Sequence, residues 1–218
     1  MPQTFAGSLD RDALLRATTS LAELVAAPEV AEAWDRESAL PGFTVGGVCR
    51  HLVSQPETAV EFLGIRPPPP HAPVVSLAEL YERTDWFVAA VDAEENTSIR
   101  DDFNAMAAGR QEHSVAILEQ VLAELPGAVA AAGDTTYVPW QDCSLATDDF
   151  LVVRLMEVVV HADDLASSLG LPTPVFDDDV LHPPLALLAM LGARRHGQDA
   201  ALRALSRAER VDRPAAAF

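Results

Sequence analysis

Five polar side chains, Arg154, Glu157, His161, Asp164 and Ser168, interrupt an otherwise apolar run at steps of 3, 4, 3 and 4 residues. In a helix over residues 150–169 that spacing sets them along one stripe. A second line, Leu151, Leu155, Val158, Ala162, Leu165 and Leu169, forms the core seam. Most of the remaining side chains are Val, Met or Ala, so the surroundings are expected to be apolar nearly all round. Ionisable groups there must be paired, hydrogen-bonded or metal-bound, because burying them bare costs several kcal/mol. Glu157 and His161 are one turn apart, a separation that lets a carboxylate and an imidazole close on one metal ion.

His51, two turns into a second predicted helix, offers another neutral imidazole. Two His and one carboxylate leave a coordination position open and suit Zn²⁺ or another divalent transition metal. Structural zinc sites usually close with four ligands and favour Cys, so three mixed ligands point to chemistry. The same residues also admit a plainer reading, a hydrogen-bonded Glu–His pair and a satisfied core histidine. Asp164 joins the candidate catalytic residues in a supporting role, orienting His161; its alternative is a surface partner for an arginine. His71, His113, His182 and His196 read as surface residues, and Trp34, Trp86 and Trp140 as packing residues. Cys49 points to the opposite side of its helix from His51.

Composition narrows the function classes. The 218 residues carry a net charge of −18, spread as scattered Asp and Glu. That surface repels phosphate backbones and anionic headgroups, which argues against nucleic-acid and membrane partners. No run approaches the length of a membrane span and the start lacks a signal-peptide pattern, so the expected location is the cytoplasm. All 15 basic residues are Arg, which removes Schiff-base, phosphate-loop and Ser–Lys chemistries. The Ala, Val and Arg richness suggests a GC-rich bacterial genome. Cys49 and Cys143 read as free thiols.

The elements that must position the polar stripe are helical. A first helix is expected over about Asp10 to Ala26. A second runs from an N-cap at Thr44 through Leu63, with Pro56 kinking or splitting it. Pro67 to Pro70 form a polyproline spacer, and Ser76 with Glu79 is a capping-box start for a helix to about Val91. One long helix is expected from Ile99 to Leu125, closed by Pro126 and Gly127, then a loop from Gly133 to Leu145. Thr147 would cap the striped helix, with Asp148 and Asp149 in its first turn. Gly170, Pro172 and Pro174 end it, and one or two helices follow. No alternating strand is evident. The pattern predicts an all-α four-helix bundle with extra short helices, comprising residues 1–170, and a helical C-terminal extension over 171–218 packed on it.

Two segments resemble a known family. Trp34 to Leu52 (WDRESALPGFTVGGVCRHL) is similar to the opening of the mycothiol-dependent maleylpyruvate isomerase N-terminal domain, a branch of the DinB-like metalloprotein superfamily. Arg154 to Gly170 (RLMEVVVHADDLASSLG) resembles its second motif, Glu, three residues, His, two residues, Asp-Leu. The likeness covers about Asp10 to Gly170. It implies a divalent metal, usually zinc, held by His51, Glu157 and His161, and a low-molecular-weight thiol co-substrate, mycothiol in actinobacteria. A metal lowers the pKa of a bound thiol and so presents a thiolate at neutral pH. The isomerases carry a small α/β domain after the bundle that contributes an active-site arginine, whereas residues after Gly170 here read as helical. That departure favours a thiol S-transferase acting on a small electrophile over a cis–trans isomerase; a non-catalytic metal-binding bundle is the third reading. The chain is expected to be a monomer or homodimer.

Overall fold

The computed structural model describes residues 3–84, 87, 93–211 and 215–217. Four long helices make the bundle: α1 (Asp12–Val25), α3 (Val45–Leu63), α6 (Arg110–Ala130) and α7 (Thr147–Leu169), with short α2 (Pro28–Ala33) ahead of α3. Each turns an apolar stripe inward. Leu14 and Leu21 of α1, Leu52 and Val53 of α3, Leu125 of α6 and Leu151, Leu155 and Leu165 of α7 are all essentially inaccessible. Burial of one such side chain contributes about 1.5–3 kcal/mol, so the seam on α7 alone is a large stabilising term. Helix α3 packs against both α6 and α7, and α1 closes the ring against the same two helices. Beyond the ring lie α4 (Leu77–Glu82), α5 (Glu94–Met106), α8 (Asp178–His196) and α9 (Gln198–Ser206); α8 packs on α7 and α1, and α9 on α8. Among the described residues no helix is long and apolar enough to cross a membrane.

The start of α3 fixes where His51 sits. The Thr44 hydroxyl accepts the Gly47 N–H at 2.9 Å, and Asn104 of α5 accepts from both the Thr44 N–H and its hydroxyl. Trp34 packs flat on the first turn, where a Cβ at Gly46 would come within 2.5 Å of its indole ring. Only glycine permits that approach. The Trp34 indole N–H donates to the Ala107 carbonyl at 2.8 Å, tying α2 to the joint between α5 and α6.

Several local expectations give way to tertiary contacts. The single helix over Ile99–Leu125 is two helices, because Ala107–Gly109 tighten into a 3₁₀ turn and Arg110 follows at φ 61°. Neither interior proline ends its helix: α3 runs on past Pro56, and α6 past Pro126 to Ala130. Buried neighbours on both sides hold those turns despite the missing N–H. Pro28 opens α2. Residues expected to be loop include an antiparallel hairpin, β1 (Thr135–Val138) with β2 (Cys143–Ala146), paired from Thr135 against Ala146 to Val138 against Cys143. The capping box of Ser76 and Glu79 forms as expected, whereas most of the helix predicted beyond it to Val91 lies outside the described residues.

Thr147 is the first helical residue of α7 and not its cap; its hydroxyl donates to the Gly133 carbonyl instead. Asp148 and Asp149 do more than face the helix dipole. Asp149 accepts the Phe5 N–H at 2.6 Å and the Thr4 hydroxyl, and Asp148 accepts the Gly7 N–H and the Arg11 guanidinium at 2.6 Å each. Both carboxylates are nearly inaccessible, so losing either leaves N–H donors unsatisfied. Asp149→Ala is expected to cost about 1–3 kcal/mol, read as a lowered Tm, and to expose residues 3–9 to limited proteolysis while α7 survives. An unchanged Tm would show that this clasp contributes nothing.

Candidate metal centre

Helices α3 and α7 run antiparallel, which pairs His51 with His161 and, one turn further along, Gln55 with Arg154. The imidazole centroids of His51 and His161 are 4.2 Å apart, and the Arg154 guanidinium donates to Gln55 Oε1 at 2.6 Å. His51, Glu157 and His161 each bring one ligand atom into a group lying within 4.8 Å of one another. Asp164 Oδ2 accepts from His161 Nδ1 at 2.9 Å, while His161 Nε2 faces Glu157 Oε2 at 3.1 Å. Ser168, last in the stripe, donates to the Asp164 carbonyl and accepts the Ala39 N–H.

Charge and burial differ between the two histidines. Burial alone would strip the proton from His161, but hydrogen bonds to Asp164 and Glu157, with their charges, outweigh it and push its pKa up to about 9. His51 moves the other way, well below its usual range, through burial and then the neighbouring charges of His161, Arg154 and Arg50. Glu157 is raised by burial, yet the His161 hydrogen bond and charge, helped by Arg154, carry it below the ordinary carboxylate range. So His51 is neutral, with one ring nitrogen free to donate a lone pair, and Glu157 is ionised. The buried His51 Nδ1 has no hydrogen-bond partner. An orphaned imidazole nitrogen beside an ionised carboxylate is the donor set a divalent cation takes. The residues present fit such an ion.

Phe103 of α5 stacks on His51 at 4.1 Å and nearly parallel, and Phe43 lies 6.0 Å from the same ring, so aromatic faces cover α3 here. Tyr81 of α4 is buried close enough for the charges of Glu157 and Arg154 to act on its hydroxyl. Sequence reading missed Gln55, Phe103 and Tyr81. Gln55 carries a signal, one turn after His51 on the same face, but Phe103 and Tyr81 come from other helices. Trp34 is core, and Trp140, 60 % exposed at the hairpin tip, packs tilted against Phe62 at 4.5 Å. Trp86 lies outside the described residues. His71 and His182 are exposed beside Asp142 and Asp178, His113 is exposed, and half-buried His196 contacts the Ala216 carbonyl.

An all-α bundle with two His and one Glu on facing helices defines a DinB-like protein. The family model of the mycothiol maleylpyruvate isomerase N-terminal domain matches residues 14–166, and the chain belongs to that family, which is linked to mycothiol-dependent enzymes. No curated protein and no solved structure matches the chain.

Neither cysteine of the chain is available as a nucleophile. Cys49 and Cys143 are free and buried. Burial pushes the Cys49 thiol up to about 12, and burial also raises Cys143. Native protein at pH 8 should therefore react with a disulfide reagent at least about a hundredfold more slowly than the denatured chain. Rapid labelling of either thiol in the folded protein would contradict this.

Proposed function

We propose that this chain is a metal-dependent thiol S-transferase in which His51, Glu157 and His161 hold a divalent ion, Zn²⁺ by ligand type. The observation that carries the reading is the convergence of these three donors from two helices, with one nitrogen of His51 left unsatisfied. When bound, the ion lowers the pKa of a coordinated thiol, which family membership makes mycothiol. Such a thiol would give its proton to solvent, and its sulfur would bond to an electrophilic carbon of a small molecule as that carbon's leaving group departs with the bonding pair. The chain supplies the rest. Asp164 fixes the His161 tautomer through Nδ1, leaving Nε2 to face Glu157 and the ion. Phe103 and Phe43 shield His51 from water. Because both cysteines are buried and protonated, the reacting thiol comes from outside. Asp164 touches no reacting atom and is a positioning residue.

The family name favours a second reading, cis–trans isomerisation by transient thiol addition. Products formed from a cis-diacid and mycothiol separate the two: a stable conjugate, or the trans isomer with thiol returned.

Metal content by mass spectrometry tests the centre. About one divalent ion per chain is expected, lost in His51→Ala and His161→Ala and weakened about 10–100-fold in Asp164→Asn. Unchanged content in both alanine variants would overturn the reading. The pH dependence has a definite sign. In the metal-free protein His161 holds its proton until about pH 9, so binding at neutral pH must expel it. Affinity is therefore expected to rise with pH up to about 9 and then level, with about one proton released per ion in calorimetry across buffers. Proton-independent binding at neutral pH would place the ion elsewhere.

A further inference from the structure

One cation beside this centre, Arg154, has no carboxylate in direct contact among the described residues. Arg154 is largely enclosed on α7, and among the described residues its hydrogen bond goes from a terminal nitrogen to the neutral Gln55 Oε1. Its Nε is buried with no partner, and among the described residues no carboxylate comes within 4.0 Å of the guanidinium. Glu157, one turn away, acts on it only through space. Once Glu157 is committed to a metal ion, even that compensation is shared. A buried guanidinium with no anion hydrogen-bonded to it is unfavourable, and Arg cannot escape by losing its proton.

The surroundings look built to hold it. Gln55 is itself anchored, its amide donating to the His51 carbonyl at 3.1 Å. The Trp140 ring lies 6.0 Å from the guanidinium carbon, with its indole braced on Phe62 and still mostly exposed. Arg154 stands three residues from Glu157 and seven from His161, about 5 and 10 Å along the helix axis. A group bound there sits beside the reacting centre without competing for it.

We propose that Arg154, held by Gln55 and walled by Trp140, is the receptor for a carboxylate on the electrophilic substrate. The guanidinium offers its free N–H edge to the two oxygens, a geometry that Lys cannot reproduce. The role assigned to the bound molecule rests on the transferase reading above, but the contact itself is independent of it. The substrate class is then an electrophile with an acid group a few bonds from its reactive carbon and an apolar portion against Trp140.

The test follows the Arg154 Nε–H resonance in ¹⁵N-labelled protein, assigned by its loss in Arg154→Gln. Propionate and succinate should shift it, with and without zinc, whereas propionamide and mycothiol should not. Arg154→Gln and Arg154→Lys should each weaken propionate binding at least about tenfold, at unchanged metal content. If Arg154→Gln fails to fold, the wild-type shift and Arg154→Lys decide alone. No shift with either carboxylate, an equal shift with propionamide, or a shift with mycothiol alone overturns the proposal. A carboxylate shift in a protein that binds no metal would keep the subsite and sink the transferase; metal uptake without the shift would do the reverse.

Discussion

Everything at the centre depends on the antiparallel apposition of α3 and α7. It sets His51 against His161 at 4.2 Å and Gln55 against Arg154, with Glu157 between the two pairs along α7. A rotation of either helix by one residue would turn these groups by about 100° and scatter the donors. The register is held from both ends. Trp34 packs on Gly46 at the start of α3, while Asp148 and Asp149 clasp the N-terminal segment at the start of α7.

Polar groups inside an apolar bundle are costly, and the fold compensates them unevenly. His161 is satisfied on both ring nitrogens, whereas His51 and Arg154 each retain a buried nitrogen without a partner. A core serving only stability would gain from replacing such groups by Leu or Met. Their presence where His51, Glu157 and His161 converge, a group that could hold a metal ion, fits a binding site better than a purely structural core. A chain with net charge −18 meanwhile keeps two arginines, Arg50 and Arg154, close enough to depress the basicity of His51.

The stripe on α7 was legible because a 3.6-residue period writes itself into the sequence, and the two motifs that named the family lie on the two helices that meet. What the sequence could not reveal came from contacts between distant residues. The break at Arg110 depends on an indole 73 residues away in the chain taking the Ala107 carbonyl. Phe103 reaches His51 only because α5 lies across α3. The hairpin escaped notice because four-residue strands leave little alternation to read. Trp140, read as a packing residue, packs on Phe62 from that hairpin's tip.

X-ray absorption at the zinc edge, with and without mycothiol, tests the central claim most directly. In the protein alone the zinc should show a first shell of nitrogen and oxygen with imidazole features. One sulfur neighbour should join it when the thiol is added, and none of this should survive in His161→Ala. A zinc environment that gains no sulfur from the thiol, or that contains sulfur before any is added, would contradict it.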